Sequence, residues 1–161
     1  FVQGGPQLPA SITVDSLGSW TDFVGDEYKA FSGTAVYTTT INKVPVADVI
    51  KLDLGSVAEN ASVYLNGDYI GTVIDSPYQL YIPAEKFKGQ DELVVRVANS
   101  MANRIAYMDK KGVDWKIFYN VNMSARKKEN VKNGIFDASD WEPKSSGLLG
   151  PVTLTPAMVK Q

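Results

Sequence analysis

The sequence contains neither cysteine nor histidine among its 161 residues. Without cysteine, the chain has no disulfide, no thiolate metal site and no thiol nucleophile. Without histidine, it lacks the commonest metal ligand and the commonest general base at neutral pH. We therefore expect no metal centre and no cofactor, and any chemistry would depend on carboxylates, lysine, tyrosine or serine.

An excess of one charge and a long apolar run are also missing. The 16 basic and 18 acidic residues are spread through the chain and leave a net charge of -2. A basic face that could pair with a phosphate backbone is therefore not expected, which argues against nucleic acid as a partner. No apolar stretch approaches the roughly 20 residues that span a bilayer, so we predict no membrane span.

The segment 61–74 carries the strongest structural signal in the sequence. Two hydrophobic runs flank the dipeptide Asn66-Gly67. Both of these residues tolerate the positive φ that a type I′ turn requires, so the segment predicts an antiparallel β-hairpin. Val63 and Leu65 fall on one face of the incoming strand, and the residue between them falls on the other. The hairpin therefore belongs to a sheet with one buried and one solvated face.

The same alternation of apolar and polar residues recurs along most of the chain. It predicts strands at residues 12–14, 33–41, 50–54, 61–65, 78–82, 93–97 and 147–156. Seven or eight short strands separated by turn signals are typical of an all-β fold, an antiparallel β-sandwich or jelly roll, and 161 residues suit a single domain. We expect one core between two sheets, formed by Tyr37, Leu52, Val63, Leu80, Val95 and Leu154.

Two stretches lack this alternation. Residues 15–29 place Trp20, Phe23 and Tyr28 among acidic and small residues, which predicts a loop whose aromatic side chains pack beneath the sandwich. Residues 99–146 carry several aromatic side chains among charged and polar ones. A structureless loop of that length is unusual within a compact domain, so this stretch is either functional or contains structure that the pattern does not reveal.

Five segments, taken in order along the chain, resemble the sugar-binding jelly-roll domain of bacterial glycoside hydrolases. They are FSGTAVYTTTI (31–41), LDLGSVAENASVYLNGDYIGTV (52–73), SPYQLYI (76–82), DELVVRVANSMANRI (91–105) and SGLLGPVTL (146–154). Family 2 β-glycosidases carry such a galactose-binding-like domain, but the order and spacing of the segments are more similar to the domain of α-L-rhamnosidase-like enzymes. Residues 109–120 and 137–151 resemble a long insertion that some of these enzymes carry.

The resemblance implies a galactose-binding-domain-like fold and a non-catalytic role. In such enzymes the catalytic carboxylates belong to a separate barrel domain. Residues 1–161 would then be a single accessory domain excised from a larger hydrolase, one that is periplasmic or secreted. Its partner would be carbohydrate or the catalytic domain of the parent enzyme. Such modules sometimes hold a structural calcium ion, although no Asp-x-Asp cluster in this sequence supports one.

Two other function classes stay open at this point. A self-sufficient glycosidase would need two carboxylates at the separation that one of the two hydrolytic mechanisms requires. The candidates for such a pair are Asp109, Asp114, Asp137, Asp140 and Glu142. Spacing along a loop determines no distance, and charged side chains on loops are usually solvated. A purely structural or adhesive sandwich would instead lack a concave polar surface with exposed aromatic side chains.

The predicted binding site lies on rim loops, which the sheets of a sandwich hold rigidly. One of these loops follows the central hairpin, and the other follows the strand at residues 93–97. Aromatic rings can stack on the C–H groups of a sugar while polar neighbours bind its hydroxyls. An arginine can clamp a carboxylate or a hydroxyl. We therefore predict one carbohydrate or interdomain contact site, with no catalytic residues, formed by Asp75, Tyr78, Asn103, Arg104, Tyr107 and Trp115.

The aromatic members of this set have two interpretations. As ligand contacts they would be exposed in the free domain, with Trp115 as the main anchor. As packing residues they would attach the long loop to the sandwich, which is the commoner role of large aromatic side chains. The exposure and the hydrogen-bond partners of each ring distinguish the two interpretations.

Overall fold

The computed structural model describes residues 1–117 and 127–157, which form antiparallel β-sheets and two short helices. The strands, in chain order, are β1 (Gln3–Gly5), β2 (Ser32–Ile41), β3 (Val49–Asp53), β4 (Ser56–Ala58), β5 (Asn60–Leu65), β6 (Asp68–Val73), β7 (Gln79–Pro83), β8 (Asp91–Ala98), β9 (Val131–Lys132), β10 (Ile135–Phe136), β11 (Gly147–Gly150) and β12 (Thr153–Ala157). The helices are α1 (Asp26–Lys29) and α2 (Ala102–Lys110).

Two main sheets face each other across the core. The larger one has the strand order β1-β2-β8-β5-β6, and the smaller one has the order β12-β3-β7. Two short ladders, β11 with β4 and β9 with β10, complete the strand pairing of the described residues. All of these ladders are antiparallel. The predicted all-β antiparallel sandwich is thus confirmed.

The core lies between the two main sheets because alternation along each strand directs every second side chain inward. The six residues that we predicted to form the core belong to one hydrophobic cluster. The fully buried ones are Leu52, Val63 and Val95, and the partly buried ones are Tyr37, Leu80 and Leu154. The periodicity of the sequence therefore identified the buried face of these six strands correctly.

The central hairpin forms at Asn66-Gly67 as predicted. The two residues have φ angles of 53° and 86°, the positive values of a type I′ turn. The register shifts between Val63 and Tyr64, which leaves Ile70 of β6 as an extra residue without a partner on β5. Such a bulge bends its strand and increases the local twist.

A buried carboxylate ties this turn to the start of β8. Asp91 is 1% exposed and accepts hydrogen bonds from the side chain of Asn66 at 2.7 Å and from the N–H groups of Lys88 and Gly89. Burial raises the pKa of Asp91, but the hydrogen bonds and the charge of Lys88 together outweigh it and hold this pKa below its ordinary value. The folded state therefore stabilises Asp91 in its ionised form.

The strand predicted at residues 12–14 is wrong, and β1 is the first strand instead. Ile12 and Val14 are 46% and 41% exposed, and they lie over an opening at the edge of the sandwich. Strand β1 was not predicted because it is built on glycine, which has low strand propensity. Gly4 pairs with Gly33 of β2 so closely that a side chain on either residue would overlap the backbone of the other.

The aromatic residues in the stretch 15–29 pack against the sandwich, as expected. Trp20 and Tyr28 are buried, and Phe1 packs edge-on against both at centroid distances of 5.5 and 5.7 Å. Trp20 also packs against Phe31 and Ala35 near the start of β2. A second aromatic cluster therefore closes one end of the sandwich.

The stretch 99–146 contains a helix, α2, that the sequence pattern did not reveal. Only one residue of α2, Asn103, is fully buried, so most of the helix surface is at least partly exposed. Its partly buried Ile105 packs against Phe136 and Ala138 of the later part of the stretch. Residues 118–120, which belong to the resembled insertion, lie outside the described part of the chain. Within the described residues, no helix has the length and the apolar character needed to cross a membrane.

Candidate binding cleft

Helix α2 carries two of the predicted binding residues to one wall of a cleft. Asn103 and Tyr107 are four residues apart and therefore project from the same side of the helix. The other walls are formed by α1 and by residues 139–143, and the volume of this open cleft is about 510 Å³. We call this opening the α2 cleft, and the side chains that line it include Lys29, Lys110, Trp141 and Glu142.

Asn103 is buried, and its carboxamide is already occupied by the protein. Its Nδ2 donates to the carbonyl oxygen of Lys144 at 2.9 Å, and its Oδ1 accepts from the N–H of Lys144 at 2.8 Å. A weaker bond of 3.3 Å joins Nδ2 to Oγ of Ser146. Asn103 therefore holds residues 144–146 against α2 and supports the wall of the cleft.

This contact is one part of a buried polar network around Ser146. Oγ of Ser146 accepts a hydrogen bond from Asn99 at 3.0 Å, and the N–H of Ser146 donates to Oγ of Ser19 at 2.9 Å. Oδ1 of Asn99 accepts from the N–H of Gly33 in β2 at 2.8 Å. The network joins three distant parts of the chain, and it brings α1 and residues 139–143 to the same end of the sandwich.

Tyr107 contributes an aromatic ring and a nearby cation to the α2 cleft. The Nζ of Lys111 lies 5.6 Å from the centroid of the Tyr107 ring and 3.3 Å from a carboxylate oxygen of Asp26. On the opposite wall, the indole N–H of Trp141 donates to Oδ1 of Asn130 at 2.9 Å. Aromatic rings on two walls with polar groups between them suit a polyhydroxylated ligand.

Arg104 faces away from this cleft and joins α2 to β1. Its guanidinium lies against Gly5, where any side chain would overlap it, and its backbone N–H donates to Oγ of Ser32 at 3.2 Å. The Nε of Arg104 is buried and has no hydrogen-bond partner among the described residues. A side chain at position 5 would therefore have to displace the end of the Arg104 side chain.

Trp115 is half-buried, and its indole is already bonded within the protein. Its indole N–H donates to Oδ1 of Asp109 at 2.7 Å, and its ring packs against Phe136 and Ala138. The Asp109 side chain is 1% exposed, forms an ion pair with Lys116, and accepts from the N–H of Ala138 at 2.8 Å. These contacts favour the second interpretation, in which the indole attaches the insertion to α2.

Asp75 and Tyr78 belong to the turn after the central hairpin and do not line the α2 cleft. The hydroxyl of Tyr78 donates to the carbonyl oxygen of Glu59 at 3.2 Å, and its ring packs against the main core. Asp75 is exposed and accepts from the N–H of Ser76 at 2.7 Å. Of the six predicted site residues, only Asn103 and Tyr107 thus share the cleft. Ligand binding by any of the six remains a prediction.

The carboxylates considered for catalysis are engaged in structural contacts or are exposed to solvent. Hydrogen bonds from Ser139, followed by contacts with Lys132, lower the pKa of Asp137, although partial burial opposes them. Lys132 also lies 3.2 Å from Asp140, while Asp114 and Glu142 are exposed. A general acid needs a raised pKa, so Asp137 is unsuited to that role. Among the described residues, no group of three or more acidic side chains is arranged to hold a metal ion.

Sequence reasoning missed most of the residues that line the α2 cleft. Lys29 on α1 and Glu142 are more than a hundred positions apart, and no spacing rule connects them. The available signal was the separation of four between Asn103 and Tyr107, which becomes informative only once α2 is known to be a helix. The other lining residues are brought together by the polar network around Ser146, which forms only when distant parts of the chain pack against each other.

A second opening, of about 420 Å³, lies beneath residues 11–17 at the edge of β2. Its lining includes the core side chains Tyr37, Val95 and Leu148. Burial raises the pKa of Tyr37, although the N–H of Leu148 donates to its hydroxyl at 3.1 Å and acts in the opposite direction. None of the predicted site residues lies in this opening, which extends into the hydrophobic core.

Comparison with known proteins gives two informative similarities. No protein-family model matches the sequence. The chain is 34% identical over 158 residues to a putative beta-glucuronidase of Formosa agariphila, a match that covers 89% of this chain and 14% of that protein. The structure of a rhamnosidase from Novosphingobium sp. PP1Y superposes with a TM-score of 0.72 at 30% identity, covering 91% of this chain and 13% of that one.

Both of these proteins are named as glycoside hydrolases, and the chain spans about one seventh of the length of each. The similarity covers most of this chain, so it extends over the sandwich and not only over a local motif. The chain therefore corresponds to one segment of such hydrolases, the size of a single domain.

Proposed function

We propose that the chain is a non-catalytic accessory domain of a larger glycoside hydrolase and that it binds carbohydrate through the α2 cleft. The observation that carries the first part is the match of 91% of the chain to only 13% of a rhamnosidase structure. The parent protein would be several times longer than this chain, and its catalytic residues would lie outside the chain, as the resemblance of the sequence also implies. The parent protein would act on rhamnosides or glucuronides.

The state of the carboxylates supports a non-catalytic role. Asp109 is held by Trp115, Lys116 and the N–H of Ala138, so its oxygens are already occupied. The pKa of Asp137 is lowered and not raised, the opposite of what protonation of a leaving group requires. Neither residue is prepared for the acid and base roles of a glycosidase.

The chemistry of the α2 cleft supports carbohydrate as its ligand. Tyr107 and Trp141 offer aromatic surface, and Lys29, Lys110 and Glu142 offer hydrogen-bonding groups. A volume of about 510 Å³ falls within the range of small-molecule sites. A sugar unit presents C–H groups and hydroxyls together, and this cleft provides partners for both.

A hydrolysis assay tests the non-catalytic part of the proposal. The 161-residue chain should release no more chromophore from an aryl α-L-rhamnoside or an aryl β-D-glucuronide than the buffer does. Turnover that the substitution Asp140→Asn or Glu142→Gln abolishes would overturn the proposal, because those residues line the α2 cleft.

A titration with L-rhamnose, followed by NMR chemical shifts, tests the binding part. Truncating an aromatic contact at the centre of a site weakens binding by about tenfold or more, so Tyr107→Ala should have this effect. The matched control is Tyr81→Ala, because Tyr81 is 61% exposed on β7 of the smaller sheet, away from the cleft. Equal affinity of both variants and the parent chain would remove the α2 cleft from the proposal.

A further inference from the structure

The outer surface of the larger sheet carries a group of polar and aromatic side chains that the α2 cleft does not use. Strand alternation buries Ala61, Val63 and Leu65 of β5, so the residues between them face outward. The strand register places them beside outward residues of β6 and β8. We call this surface the tyrosine face, and it consists of Ser62, Tyr64, Tyr69, Thr72 and Arg96.

Arg96 is the cation of the tyrosine face and lies on its β8 side. In the register of the sheet it lies opposite Ser62, and its guanidinium carbon stacks over the Tyr64 ring at 5.1 Å from the centroid. Among the described residues, no carboxylate lies within ion-pair distance of Arg96 and no acceptor is hydrogen-bonded to its side chain. The stacking orients the planar group while leaving its donors directed at solvent.

Beside this cation, three hydroxyl groups form a chain across β5 and β6. The Tyr69 hydroxyl lies 2.9 Å from Oγ1 of Thr72, which lies 2.7 Å from Oγ of Ser62. The Tyr69 ring is 59% exposed, and its centroid is 5.5 Å from that of Tyr64 at an interplanar angle of 60°. The bulge at Ile70 lies between Tyr69 and Thr72 in the strand, and it determines how Tyr69 is aimed.

We infer that the tyrosine face binds a saccharide that carries a carboxylate, that is, a uronic acid unit. Arginine presents a fork of N–H donors that matches a carboxylate in bidentate geometry, and the unpaired Arg96 has such donors available. The exposed Tyr69 ring provides a surface for sugar C–H groups, and the hydroxyl chain provides donors and acceptors for sugar hydroxyls. This inference rests on the proposed function, because it adds a second carbohydrate surface to the same domain.

A carboxylate-bearing sugar fits this surface better than an acidic peptide does. The carboxylates of an acidic peptide could pair with Arg96, but such a peptide has no row of hydroxyls to bond with the three hydroxyl groups of this surface. A pyranose with a carboxylate offers an anion, an apolar face and several hydroxyls within one unit. The tyrosine face presents the complement of all three on three neighbouring strands, β6, β5 and β8.

The test is a titration of the 161-residue chain with tetragalacturonate, with uncharged cellotetraose and with short polyglutamate, followed by NMR and calorimetry. Loss of a charge-assisted hydrogen bond weakens binding by about tenfold or more, so Arg96→Gln should reduce the affinity for tetragalacturonate by this factor. Tyr69→Ala should do the same. Tyr81→Ala is again the matched control, because Tyr81 is 61% exposed on the other sheet and should leave the affinity unchanged.

The outcomes separate this inference from the proposed function. Binding of tetragalacturonate that depends on Arg96 and Tyr69, with at least tenfold weaker binding of cellotetraose and polyglutamate, supports it. Polyglutamate that binds as tightly as tetragalacturonate would overturn the inference in favour of an acidic protein partner. Saccharide binding that Tyr107→Ala abolishes but Arg96→Gln leaves intact would overturn the inference alone and leave the α2 cleft as the site. Absence of binding by every saccharide, L-rhamnose included, would overturn both this inference and the carbohydrate-binding part of the proposed function.

Discussion

The indole N–H of Trp115 donates a hydrogen bond of 2.7 Å to Oδ1 of Asp109, whose side chain is 1% exposed. Asp109 lies near the end of α2, and Trp115 lies in the insertion that follows the helix. The opposite oxygen of the same carboxylate accepts from the N–H of Ala138. One buried carboxylate thus fastens both sides of the insertion to the helix that lines the candidate cleft.

Replacement of Trp115 by alanine should therefore reduce stability. The substitution removes half-buried packing against Phe136 and one of the two donors to Oδ1 of Asp109, the other being Lys116, so the free energy of unfolding should fall by about 1–3 kcal/mol. For a domain of this size the melting temperature would drop by several degrees, which differential scanning calorimetry measures. Trp115→Phe is the control that keeps a ring but loses the N–H, and it should cost less. An unchanged melting temperature for Trp115→Ala would restore the interpretation of an exposed anchor.

Gly147 should not tolerate a side chain. Its φ is 113°, which disfavours other residues, and an added Cβ would overlap the hydroxyl of Tyr37 and the indole of Trp20. Gly147→Ala should destabilise the protein by about 1–3 kcal/mol or more, as measured by urea unfolding. Gly18→Ala is the matched control, because a Cβ there meets no atom within 4 Å. Equal stability of the two variants would show that the surroundings of Gly147 relax around a methyl group.

Asp91 should make the protein less stable in acid. Its pKa is lowered in the folded state, so its contribution is complete above the unfolded value of about 3.9 and is lost as the pH falls through the lower folded value. Asp91→Asn should reduce stability at pH 7 and flatten the acid side of a plot of urea midpoint against pH. Some slope should remain, because hydrogen bonds from Gly55 and Gln79 also lower the pKa of Asp53. If Asp91→Asn gave the same slope of urea midpoint against pH as the parent protein, this role for Asp91 would be contradicted.

Asn103 should behave as a structural residue although it was predicted as a site residue. In Asn103→Asp the group that donates to the carbonyl of Lys144 is replaced by a buried carboxylate oxygen, which repels that carbonyl and leaves Oγ of Ser146 as its donor. The cost should be at least about 1–3 kcal/mol in chemical denaturation. Asn42→Asp makes the same chemical change at an exposed position and should cost little. If both variants were equally stable, Asn103 would be free to serve a ligand.

The sequence alone determined the sandwich and its core, for local reasons. Asn66-Gly67 requires positive φ and forms a turn wherever strands flank it, as the observed angles confirm. Alternation along a strand depends only on the geometry of an extended chain, so it predicted the inward faces of Leu52 and Val95 without knowledge of their partners. The similarity to one segment of glycoside hydrolases was also carried by the order of these strands.

Tertiary structure alone decided β1, α2 and the two candidate surfaces. Strand β1 exists because Gly4 can approach Gly33, and this contact is not visible in local propensity. The α2 cleft depends on hydrogen bonds between Ser19 and Ser146, residues 127 positions apart. The tyrosine face depends on the register that sets β6 and β8 on either side of β5. The local sequence pattern indicates which face of a strand or helix is buried. The packing of the whole chain determines which distant side chains come into contact.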